Sequence, residues 1–149
     1  NAVLTARPDV VFGADIIAGF PTETDEMFEN SMALVEECHL TYLHVFSYSE
    51  RDGTPAAKMP QLDRSIRKER AARLRNLGET KVDDYLKKSV GNQVNILIEK
   101  NIKGENASIG HTEHFAPAKI SGSHTVGHIA KAIVTGYQDG LLNAEIVND

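Results

Sequence analysis

Cysteine occurs once among the 149 residues, at Cys38, and tryptophan does not occur. One thiol excludes an internal disulfide framework and any metal site built on several cysteines. With no disulfide to maintain, a cytoplasmic setting is expected. Long apolar runs are missing too. None approaches the roughly 20 residues that cross a bilayer as a helix, so no membrane protein is expected. No basic-then-apolar leader precedes the first strand-like run, and Asn1-Ala2 reads as an expression remnant or a cut end. Internal repeats and low-complexity tracts are absent. What remains is a globular composition, 41% hydrophobic and 25% charged, of a length that suits one ordinary domain or two small ones.

The net charge of −5 is unevenly distributed. Residues 1–60 carry three basic and ten acidic side chains, residues 61–88 nine and five, and residues 89–149 four and six. The acidic total argues against general nucleic-acid binding, while the middle block is a local basic patch. That block reads either as an RNA-facing surface or as a solvated helix face.

Hydrophobic patterning divides the chain near residue 89. Val10 to Ile17, VVFGADII, has the length and β-branched content of a parallel-sheet strand covered on both faces, with Asp15 buried in it. Thr22-x-x-Asp25 resembles a capping box, and Phe28, Met32, Val35 and Cys38 lie close to helical spacing, so a helix is expected over 24–38. LTYLHVFSYS, residues 40–49, reads as a second strand. Strand, helix, strand in this span is a βαβ unit with a parallel pair. After a Gly- and Pro-containing turn, residues 63–88 read as one long helix or as two broken near Gly78. Beyond Ser89 the pattern changes to short runs, 93–99, 107–120, 126–137 and 141–147, separated by turn residues. Four or five strands in so short a span predict a small antiparallel barrel. The fold class is therefore α/β plus all-β, with domains 1–88 and 89–149.

The junction Gly19-Phe20-Pro21 is a candidate site. Ligands of parallel α/β folds sit at the carboxyl ends of strands, Gly19 lets backbone approach a ligand, and Asp15 is costly to bury unpaired. The other reading is a tight strand-to-helix turn with Phe20 plugging a core. Phe46, Tyr48 and Ser49 end the next strand beside it, and two strand ends carrying Gly and aromatics could flank a flat ring.

The segments DIIAGFPTET, LHVFSYSERDGTPAAKMP and KERAARLRNLG resemble the later part of the radical S-adenosylmethionine methylthiotransferases. Within that group they are most similar to the enzymes acting on threonylcarbamoyladenosine beside the tRNA anticodon. Leu43 to Pro60 carries the specific signal. Enzymes for isopentenyladenosine and for a ribosomal-protein aspartate share YS and GT but usually differ at LHVF. Residues 89–149 resemble the TRAM domain, a small RNA-holding β-barrel.

The resemblance implies the last βα units of a partial TIM-like barrel, a basic helix and TRAM. It implies S-adenosylmethionine and two 4Fe-4S clusters in the whole enzyme, tRNA as partner, and radical insertion of a methylthio group. The cluster cysteines are absent here, so this chain should not catalyse alone and should bind neither cluster. It implies that Asp15 and Gly19 lie along the adenosylmethionine and that Phe46, Tyr48 and Ser49 border its adenine. Arg51 is a candidate for a charged contact, or for a loop salt bridge. Glu23 lies one residue late for the family's glutamate. Lys100, Lys103, His111, Lys119 and Lys131 are the candidates for RNA phosphates. Phe115 and Tyr137 either stack bases or belong to the barrel core. All six histidines are read as non-ligands. A partial barrel leaves strand edges open, so the chain is expected to self-associate through 10–17 or 43–49, or to leave part of residues 1–60 disordered.

Overall fold

The computed structural model describes residues 2–147 and divides the chain into two compact units, Asn1–Val82 and Asp83–Asp149. In the first, a short helix α1 (Ala2–Ala6) precedes strand β1 (Phe12–Ala18), helix α2 (Asp25–Glu37) and strand β2 (Leu40–Ser47). A single 3-10 turn, Ala56–Lys58, leads to helix α3 (Arg64–Lys88). β1 and β2 pair in parallel, with Asp15 beside His44 and Ile17 beside Phe46. The βαβ unit is thus present as the pattern predicts.

Several local expectations need correction. The N-cap of α2 is Thr24, whose hydroxyl accepts from the Met27 amide at 3.2 Å, and Thr22 instead sits in a left-handed turn at φ 71°. A cap must lie immediately before the helix, and the acidic first turn Asp25-Glu26 then faces its positive end. α3 is not broken at Gly78. A Cβ there would come within 3.1 Å of Leu43, so the glycine admits β2 against the helix rather than ending it.

The strand β1 is not covered on both faces. One face packs its Ala18 with Phe28 and Val35 of α2, Val45 of β2, and Ala71 and Leu74 of α3. Fully burying a side chain such as Phe28 or Leu74 stabilises by about 1.5–3 kcal/mol. The other face, with Asp15, Ile17, His44 and Phe46, is bare: Ile17 is 59% and Phe46 55% exposed. Asp15 is therefore solvated, not buried.

In the second unit, β3 (Gln93–Asn101), β4 (Ala107–Thr112), β5 (Pro117–Ser121), β6 (Ile129–Gln138) and β7 (Leu141–Ile146) close in the order β3-β4-β5-β7-β6. The barrel is not wholly antiparallel, because β5 and β7 pair in parallel. The expected run 107–120 is two strands, split by a turn at Glu113–Ala116. Ile96, Ile98, Ile120, Val134 and Leu142 fill the interior with small residues, Ala118, Ala132 and Ala144 among them. Gly110 is required by packing, since a Cβ would lie 1.8 Å from the Leu97 carbonyl oxygen.

Candidate functional site

The strand ends at the Gly19 junction do meet. The Tyr48 amide donates to the Ala18 carbonyl at 2.8 Å, and the Phe20 and Tyr48 rings stand edge to face at 5.4 Å. Gly19 has φ 76°, which a residue with a side chain rarely adopts. Its open side is filled by protein, since a Cβ would come within 2.6 Å of Arg67 Cγ and 2.9 Å of Arg67 Cα. The glycine thus serves close packing of α3. The amides of Gly19 and Phe20 both donate to the Glu23 carboxylate, the latter at 3.1 Å. Glu23 in turn faces Arg70 at 3.5 Å. It closes the turn from within, and those two backbone donors are already engaged.

Beyond the turn lies a cleft of about 410 Å³, lined by Ser47, Tyr48, Ser49, Glu50, Arg64, Arg67 and Lys68. It sits at the carboxyl end of β2, where ligands of parallel α/β folds bind. Arg67 Nη1 lies 3.4 Å from both the Tyr48 carbonyl and the Glu50 carboxylate. Arg64, Arg67 and Lys68 were not singled out from sequence, although their i, i+3, i+4 spacing puts three cations on one helix face. Tyr48 and Ser49 line this cleft, while Asp15 and Phe46 lie on the bare sheet face. Arg51 is exposed in the following turn, where its carbonyl accepts from the Thr54 amide and hydroxyl at 3.2 and 2.8 Å. Glu50 pairs with Arg67, not with Arg51.

The remaining arginines of α3 contact other elements of this unit, and only Arg70 is buried. Arg70, 4% exposed, donates to the Glu23 carbonyl at 2.9 Å and to Asp25 at 2.5 Å, and Arg75 to the Val45 carbonyl at 3.1 Å. Arg70 and Arg73 also stack over the Phe28 ring, at 5.4 and 4.7 Å from its centroid. Within the basic block Arg70 alone is buried, while Arg64, Lys68, Arg73, Arg75, Lys87 and Lys88 are exposed.

On the barrel, Lys100, Lys103 and Lys131 are exposed, and Lys119 pairs with Glu105 at 2.6 Å. His111 Nδ1 lies 3.0 Å from both oxygens of Glu99. Phe115 is no core residue: it is 78% exposed. The Tyr137 hydroxyl donates to Asp83 and accepts from the Gly140 amide at 3.2 Å. Hydrogen bonds from Lys87 first, and from Tyr137 next, hold the Asp83 carboxyl below the usual aspartate range. Tyr137 is raised in turn, chiefly by its bond to Asp83. Among the described residues, no group of three His, Cys, Asp or Glu could hold a metal ion, and no helix is long and apolar enough to cross a membrane.

No family model matches the chain. Curated proteins do. The chain is 50% identical over 141 residues to "Threonylcarbamoyladenosine tRNA methylthiotransferase MtaB" of Rickettsia prowazekii, a match covering 95% of this chain and 32% of that protein. It is 34% identical over 145 residues to "tRNA-2-methylthio-N(6)-dimethylallyladenosine synthase" of Aeromonas salmonicida, covering 95% and 30%. To the protein of that same name from Bacillus cereus it is 35% identical over 147 residues, covering 97% and 29%. The chain spans about a third of the length of these relatives. The resemblance read from its motifs thus extends over nearly all of its residues.

Proposed function

We propose that this chain is a segment of a tRNA methylthiotransferase of the threonylcarbamoyladenosine type, carrying the last strands of a radical S-adenosylmethionine barrel and a TRAM domain. The observation that carries this reading is the 50% identity over 95% of the chain. The bare sheet face agrees with it. Helices cover one side of β1 and β2, and among the described residues nothing covers the other, as expected for two staves of a barrel whose interior is completed by further strands.

The iron–sulfur clusters do not fit this chain. A cluster needs several thiolates, and Cys38 is alone and exposed. Their ligands belong to the remainder of such an enzyme, and the chain by itself is not catalytic. Adenosylmethionine fits better. In the intact enzyme it supplies the radical and methyl-donor chemistry. The cleft offers the Tyr48 ring for the adenine, the Ser49 hydroxyl, and Arg64, Arg67 and Lys68 for a carboxylate. Asp15 and Phe46 face the barrel interior, Gly19 serves the turn between the two places, and Arg51 stands at the rim. The barrel of the second unit holds the tRNA in the cytoplasm, with Lys100, Lys103, His111, Lys119 and Lys131 toward its phosphates. The open edges of β1 and β2 make the isolated chain self-associate.

The test is reconstitution of the complete reading frame with iron and sulfide, followed by reaction with tRNA bearing threonylcarbamoyladenosine. Mass spectrometry of the nucleosides should show the methylthio derivative. Modification of dimethylallyladenosine alone would move the enzyme to the other class of relatives, and no modification of either would overturn the reading.

A further inference from the structure

The strand registers of the barrel align outward-facing residues into rows across β6, β3, β4 and β5. Ile129 lies opposite Leu97, Leu97 opposite His111, and His111 opposite Pro117. Ile129 and Leu97 are exposed, the former at 71%. The Phe115 ring closes the row, 5.6 Å from the His111 ring and tilted 39° to it. On one side the next row sets Lys131 opposite Asn95. On the other it sets Lys100 opposite Ile109, and Ile109 opposite Lys119. An apolar and aromatic row therefore runs between two rows that carry lysines, each about 7 Å away along the strands.

Phe115 is held there by the backbone at φ 62°, a conformation that a bulky residue seldom adopts. Buried Thr112 enforces it. Its carbonyl accepts from the Phe115 amide at 2.9 Å, its amide donates to the Ala116 carbonyl at 2.9 Å, and its hydroxyl accepts from the Ala116 amide at 3.1 Å. The strain brings no burial, because the ring points to solvent. Strain without packing gain is the mark of a residue placed for contact with something else. The acids on this wall are engaged: Glu99 with His111, Glu113 with the Asn95 amide at 2.8 Å, and Glu105 with Lys119. The Lys119 pair is exposed and holds weakly.

We propose that this wall is a stacking ledge for unpaired RNA. Bases lie over Phe115, the His111 imidazole and the Leu97–Ile129 strip, while phosphates reach Lys131 on one side and Lys100 on the other. Aromatic rings stack any base, and the flanking cations follow the backbone. This deepens the RNA-holding role proposed for the barrel and rests on it.

The test uses the whole chain and a short single-stranded RNA in which one adenine is replaced by fluorescent 2-aminopurine, with the same sequence as a duplex for comparison. The single strand should bind more tightly and its fluorescence should be quenched. Phe115→Gly relieves the backbone strain, so it should keep or raise the thermal midpoint while weakening binding about tenfold and abolishing the quench. Phe115→Leu should weaken binding similarly, and Phe115→Tyr should bind as wild type. Lys100→Gln and Lys131→Gln should each lower the slope of log affinity against log salt by about 0.7. Wild-type affinity in both the Gly and Leu variants would overturn the ledge and leave the RNA-holding role standing. Full affinity in the Leu variant alone would also overturn it, and would mark an apolar protein-docking face. No RNA binding by the wild-type chain at low salt would overturn both.

Discussion

The two units solve the problem of the strand edge in opposite ways. The barrel closes its five strands on themselves, so every strand has a neighbour on each side. Among the described residues, the α/β unit has two strands, each with one free edge, and an exposed sheet face. Closure lets the barrel rely on a small, mainly apolar interior of Ile, Leu, Val and Ala. The open unit instead leans on a covered face and on arginines from α3 that reach Glu23, Asp25 and Val45. An open sheet of this kind agrees with the proposed reading of a partial barrel, whereas the five-stranded barrel has no open edge.

The largest effect is expected from breaking the closure of the barrel. Gly110→Ala drives a methyl group into the Leu97 carbonyl, so β3 and β4 cannot keep their register. The barrel should lose its cooperative denaturant transition, with a cost above about 3 kcal/mol, while helical circular dichroism persists. Next, Arg70→Ala removes the guanidinium that faces Glu23 and one of the two that lie over Phe28. About 3 kcal/mol should be lost from the α/β transition alone, as seen in residue-resolved denaturation by NMR. A smaller effect on stability, within about 0.5 kcal/mol, is expected of Ile17→Lys with Phe46→Ser on the bare face. Sedimentation velocity should nevertheless show a shift from associated species toward monomer.

The smallest effect concerns pH. Asp83 is held below the ordinary aspartate range by Lys87 and Tyr137, so its contribution is fully present above about pH 4 and is lost as pH falls through the lowered native value. Tyr137→Phe should therefore lower the thermal midpoint slightly at neutral pH. The gap to wild type should close in acid, and a gap that widened instead would contradict the linkage.

Much of this was legible in the sequence, and the failures have physical causes. The β-branched runs Phe12–Ala18 and Leu40–Ser47, and the Pro-free span of α3, announced themselves through composition and period. The bare face of β1 did not. An apolar strand reads as covered on both sides because composition reports the residues and not which partners pack on them. The outward row of the small barrel was equally hidden. Exposed Leu97, Ile129 and Ile133 blur the alternation that separates inside from outside, and register comes only from pairing. Lys100, His111, Lys119 and Lys131 stand out in the sequence by charge and type, yet nothing in their spacing says that they share one wall. Gly19 was legible as a glycine that something approaches. That the something is Arg67 depends on a helix nearly fifty residues later.

Under the proposed function, the α/β unit is part of a barrel completed by chain outside these residues, while the small β-barrel closes on itself. Hydrogen–deuterium exchange on this chain alone and on the product of the full reading frame tests it directly. The amides of β1 and β2 should exchange readily in the isolated chain and become strongly protected in the full protein, while those of β3 to β7 should be equally protected in both. Equal protection of β1 and β2 in the two forms would contradict the account.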